Sequence, residues 1–252
     1  MSIWEISIIA VTGFCSGVIK SGVGVGAGIF LLPTLSLAFS AKTALGLGAP
    51  LMLTSDVMAL RYYWKQWIPL KEFARLLLAA LPGLLAGTVL LPIMPAEGFR
   101  IAVGMFGMSY AFYHLFPKGR FALLLKSILA NTDQRLDGKQ VYIFGALGGV
   151  ATVLAHAGGI VWSLYLMTSV KDRRTFVGTI VLLFFITNIY KTVAYVAIDT
   201  VSMTEMMGVL PAIPAVLLGS AIGNVANKRM NQDIFRRLVL CVIFLVSAKL
   251  CF

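Results

Sequence analysis

Lys20 closes the first apolar run of this sequence and stands directly before an alternating-glycine stretch, Lys20-Ser21-Gly22-Val23-Gly24-Val25-Gly26-Ala27-Gly28. An ammonium in an apolar segment is costly and by default a functional candidate. It could pair with an anion, or it could snorkel to an interface if the helix before it stands upright. The glycines look like a nucleotide loop, but the phosphate-loop spacing and a soluble βαβ unit are both missing. At membrane depth, non-helical backbone is tolerated only where it is buried or lines a cavity. Free N–H groups there, with a helix N-terminus behind them, make an anion site, so Lys20, Ser21, Gly22, Gly24 and Gly26 are site candidates. The alternative is that these glycines let helices pack closely.

A second break, Ala155-His156-Ala157-Gly158-Gly159, lies beyond the middle of the chain. His156 could bond an oxyanion or titrate near neutral pH, or it could be a satisfied packing residue. Asp56, in Leu53-Thr54-Ser55-Asp56-Val57-Met58, is a carboxylate deep in an apolar run. It could pair with Lys20, carry a coupling proton, or make an interhelical hydrogen bond. Thr54, Ser55 and the later Asn188, in Ile186-Thr187-Asn188-Ile189-Tyr190-Lys191, supply short polar groups at comparable places.

The elements that must hold these residues are membrane helices. The chain has 252 residues, 59% hydrophobic and 12% charged, with a mean hydropathy of +0.91, against about 45–50% apolar and about 25% charged in soluble domains. A soluble fold is excluded. At roughly 20 residues per crossing, the length holds about eight crossings, and 1–252 reads as a single integral membrane domain. The start, Met1-Ser2-Ile3-Trp4-Glu5, has no basic region or cleavage site, so residue 1 is expected to begin the mature protein. The net charge of +11 reflects cytoplasmic loops rather than nucleic-acid binding. Cys15, Cys241 and Cys251 are single and unpaired in spacing, and two histidines do not make a metal cluster. No acyl-transfer motif occurs. No cofactor or metal is expected. Trp64, Trp67, Tyr62 and Tyr63 beside Arg61 and Lys65 read as an interfacial belt.

The longest polar linker, 118–139, separates a first half, 1–117, from a second, 140–252. An offset of 132 residues superposes Gly13 on Gly145, Gly17 on Gly149, Gly26 on Gly158, Tyr63 on Tyr195, Pro82 on Pro214 and Gly87 on Gly219, and places Asp56 on Asn188. Two related halves are therefore expected. If residues 3–39 and 140–170 are hairpins that enter and return, each half changes sides an odd number of times. Then 16 of the 21 basic residues fall on the cytoplasmic side, as the positive-inside rule requires. The expected fold class is all-α and polytopic: two inverted-topology repeats, each a glycine-broken hairpin plus three spanning helices, with both termini outside.

The glycine breaks, Pro33 after the first, the polar triplet in the next helix, and Pro82-Gly83-Leu84-Leu85-Ala86-Gly87 with its echo at 214–219 resemble the TauE/SafE family, sulfite exporters or toluenesulfonate uptake permeases. The similarity spans nearly the whole chain. It implies a two-repeat carrier of the cell inner membrane for sulfite, thiosulfate or organosulfonates, with Gly22, Gly24, Gly26, Gly158 and Gly159 lining the site. Tyr165 stands where Pro33 would repeat. The partners implied are a small anion, protons or another coupling cation, and the lipid bilayer. The expected function is secondary transport through a midplane site between the hairpins. An intramembrane enzyme using Asp56 or His156, and an anion pore or structural membrane subunit, are the alternatives.

Overall fold

A computed structural model of the chain describes residues 2–23, 27–115, 138–229 and 232–251. Gly24 and Gly26, and all of the central linker but its last two residues, lie outside them. All regular structure in the described residues is helical: α1 (Ile3–Val23), α2 (Ala27–Leu35), α3 (Ala41–Tyr62), α4 (Leu70–Ile93), α5 (Ala96–Leu115), α6 (Gln140–Ala155), α7 (Gly158–Ser169), α8 (Arg173–Ala197), α9 (Met203–Met207), α10 (Ile213–Arg229) and α11 (Gln232–Cys251). Five stretches are long and apolar enough to cross a membrane: Ile3–Ser21, Ala41–Tyr62, Leu70–Ile93, Arg174–Ala197 and Met203–Gly223. Val89, Ile93, Met167, Val193 and Leu245 face outward, each more than half exposed. An apolar exterior of this extent suits lipid rather than water.

The helix boundaries follow from local chemistry. Ser40 caps α3 by accepting the Thr43 N–H at 3.1 Å, and Asp172 caps α8 through Thr175. Ser202 and Glu205 form a capping box at α9, which satisfies two donors reciprocally. The apolar segment around residue 210 is not one helix: Pro211 opens a 3-10 turn, Leu210–Ala212, before α10 begins. A second difference concerns the first break. Lys20, Ser21 and Gly22 are helical, in the last turns of α1, because a cation there complements the C-terminal end of the dipole and Lys20 is tied into the core.

α2 and α7, with 9 and 12 residues, are only about 14 and 18 Å long at 1.5 Å per residue. Neither crosses a hydrocarbon core of about 30 Å by itself. α1 packs along α10, α6 along α4, α5 along α11, and α3 along α8. Small residues allow the first two approaches: a Cβ on Gly17 would lie 2.9 Å from the Ser220 backbone nitrogen, and one on Gly149 would lie 2.8 Å from that of Leu84. In lipid, such backbone proximity and the dispersion contacts it permits are what hold helices together.

Candidate functional site

Four helices meet around two buried lysines. Lys20 descends from α1 and is 5% exposed, and Asp56 from α3 is fully buried. The two form an ion pair. Lys20 Nζ also donates to the Met52 carbonyl at 3.4 Å and sits 5.3 Å from the Phe184 ring centroid, within cation–π range. Asn188 of α8 donates its side-chain N–H to the other oxygen of Asp56 at 2.5 Å. Positions 56 and 188 are thus in direct contact, although they are 132 residues apart.

Behind this pair lies a second cluster that the sequence reading did not single out. Lys191 of α8, 1% exposed, donates to the Thr152 carbonyl at 3.3 Å, the Thr152 hydroxyl at 3.2 Å and His156 Nδ1 at 2.7 Å. His156 Nε2 lies 3.0 Å from the Leu45 carbonyl. A carbonyl can only accept, so Nε2 carries the proton and Nδ1 receives the lysine's hydrogen. The signal for Lys191 was present in the sequence: a lysine inside a spanning segment, one turn after Asn188.

His156 ends α6 in the left-handed conformation, φ 51°, a common way to terminate a helix although unusual for a residue with a Cβ. The turn projects its ring toward α3 and presents its backbone to α2. A Cβ on Gly28 would lie 2.5 Å from the His156 carbonyl oxygen, and one on Gly48 would lie 2.8 Å from Nε2. These glycines are required by the histidine that occupies the space next to them.

A small cavity, ≈ 10 Å³, about the room one water needs, opens between these parts. Its walls are Lys20 and Met52, the first turn of α2 (Ala27, Gly28, Ile29), the corner before and into α7 (His156, Ala157, Gly159, Ile160), and Phe184. Ala157, at the N-cap of α7, offers no side-chain cap, so the first backbone N–H groups of the helix lack the partner a capping side chain would give.

The expected site residues therefore divide. Lys20, His156 and Gly159 lie on the cavity wall, together with Gly28. Asp56 and Asn188 form the layer behind Lys20. Gly158 packs on α6, where a Cβ would meet the Gly148 carbonyl oxygen at 2.6 Å. Thr54 and Ser55 donate to carbonyls of their own helix, Pro50 at 2.9 Å and Met52 at 3.0 Å. Ser21 belongs to the end of α1 and is not among the wall residues; Gly22 is in the last turn of α1, and Gly24 and Gly26 lie outside the described residues. No group of three or more His, Cys, Asp or Glu that could hold a metal occurs among the described residues.

A family model described as "Sulfite exporter TauE/SafE" matches residues 9–250, nearly the whole chain. No curated protein and no solved structure matches it.

Proposed function

The chain belongs to the sulfite exporter TauE/SafE family, and from that premise we propose that it is a secondary carrier moving a small sulfur-containing anion, such as sulfite, thiosulfate or an organosulfonate, across the cytoplasmic membrane. Membership in a membrane transporter family, together with five helical stretches long and apolar enough to span, makes it an integral membrane protein.

One observation carries the reading: the N-terminal turns of α2 and α7 and the buried ammonium of Lys20 line one cavity. Helix N-termini present partial positive charge and free N–H donors, and an ammonium adds a full charge in a medium that screens it poorly. A pyramidal or tetrahedral oxyanion accepts such bonds from several directions without a metal. Among the described residues the walls carry no carboxylate, so a substrate's own ammonium group would meet Lys20 there.

Helix lengths support a site near the midplane. If α2 runs from the cavity to the outer face and α7 from the cavity to the inner face, their lengths of about 14 and 18 Å together match a core of about 30 Å. The two tips then meet near the midplane, where discontinuous helices of inverted-repeat carriers hold substrate. The halves, 1–117 and 140–252, would rock about this point. An enzymatic role for His156 is disfavoured by its bonds, since both ring nitrogens are engaged within the protein.

The deciding experiment is flux of labelled sulfite, thiosulfate and methanesulfonate into proteoliposomes, with chemical analysis of the transported species. Saturable, counter-flow-stimulated movement of unchanged anion is expected. Altered product would favour an enzyme, and non-saturable flux a pore.

A further inference from the structure

Among the described residues, the buried lysines and carboxylates are Lys20, Asp56 and Lys191, and all belong to this one layer. Asp56 cancels Lys20, its ion-pair partner. Lys191 has no carboxylate of its own. Its three acceptors, the Thr152 carbonyl, the Thr152 hydroxyl and His156 Nδ1, equal the number of hydrogens an ammonium donates, whereas a neutral amine has one fewer. His156, accepting at Nδ1 and donating from Nε2, is the neutral tautomer. The layer therefore sums to one positive charge, in surroundings where a charge acts strongly across several ångströms.

Resting on the anion-carrier reading above, we propose that Lys191 is the resident counter-charge of the site and that it makes the carrier select monovalent over divalent sulfur oxyanions. A monoanion beside Lys20 brings the buried layer to neutrality. A dianion leaves one uncompensated negative charge in the core, which is the costly case. Lys191 exerts this from behind His156, without lining the cavity, so it sets selectivity rather than contact.

The test uses methanesulfonate and thiosulfate, which share a pyramidal SO3 head and differ by one unit of charge, titrated into the purified full-length protein at one fixed pH. The wild type is expected to prefer methanesulfonate by roughly tenfold or more, about 1.4 kcal/mol. Lys191→Met weakens both anions, thiosulfate more. Asp56→Asn raises the layer by one charge and shifts the preference toward thiosulfate. The double variant Asp56→Asn with Lys191→Met restores the original sum, and with it the wild-type preference, which no purely structural role would produce. Lys191→Arg keeps the preference. Selectivity that is unchanged in both single variants, or a double variant that merely compounds two losses, overturns the inference. If Lys191→Met does not fold, Asp56→Asn decides: an unshifted ratio overturns the inference and a shifted one supports it. A wild type that binds thiosulfate more tightly overturns the charge inference and leaves the carrier reading standing, while one that binds neither anion overturns both.

Discussion

Lys20 faces two claims on one ammonium, the carboxylate of Asp56 and the anion in the cavity. Replacing it alone is therefore not a clean test of anion pairing. Lys20→Ala leaves a buried carboxylate unpaired, a loss of about 3–5 kcal/mol of stability, and is expected to lower the thermal midpoint sharply. Lys20→Met combined with Asp56→Asn removes the stranded charge. That double variant should regain most of the stability while remaining about 10- to 150-fold weaker for the anion, the worth of one charge-assisted hydrogen bond at about 1.5–3 kcal/mol. Calorimetry on purified protein checks both numbers, and wild-type affinity in the double variant would remove Lys20 from the site. Asp56 has its own outcome. If Asp56 carries a coupling proton, Asp56→Asn should abolish uphill transport driven by a pH gradient while anion exchange continues, because exchange moves no net proton; uphill flux that survives would leave Asp56 structural. At this scale Lys20, Asp56, Asn188 and His156 were legible as polar residues in apolar runs. Lys191 was equally visible as a type and was missed because its neighbours in the sequence are not its partners in space.

Elements decide where those side chains arrive. α2 and α7 are short, and their first turns share a cavity, so cysteines replacing Ala27 and Ala157 should be joined by a short bifunctional thiol reagent. Failure across neighbouring pairs would mean that the tips do not meet. Outside the spanning segments, α8 begins on Asp172, whose carboxylate accepts from the Thr175 hydroxyl at 2.7 Å and the Thr175 N–H at 2.8 Å. These two bonds, the hydroxyl first, hold its carboxyl below the ordinary carboxylate range. A lowered folded value means that the cap is fully present above the unfolded value and is lost as pH falls through the folded one. Faster hydrogen exchange at Thr175 and Phe176 is therefore expected only in strong acid for the wild type, and already at neutral pH for Asp172→Ala. Helix existence was readable from hydropathy, and the polar caps from Ser and Asp. That Lys20, Ser21 and Gly22 are helical was not, because Lys20 gains its buried partner only in the assembled fold.

The whole molecule carries its orientation in its loops. Cysteines replacing Lys71 and Lys171, both exposed, should react with an impermeant reagent only from the cytoplasmic side, and one replacing Thr204 only from outside. Labelling of Thr204→Cys from inside alone would sink the inverted arrangement. The sequence by itself determined that this is a helical membrane protein, because 59% hydrophobic residues cannot be buried in a soluble domain of this size and lipid demands internally bonded backbone. It also carried the family, since the glycines and prolines that fix backbone geometry are distributed along nearly all of the chain. Only the tertiary structure decided that Lys191 stands beside His156, that Gly28 meets the cavity, and that Thr54 and Ser55 turn back on their own helix. Hydropathy is a one-dimensional property that fixes which segments enter the membrane. Rotation of each helix about its axis, which aims an individual side chain at a site or at lipid, is set by packing against neighbours distant in sequence.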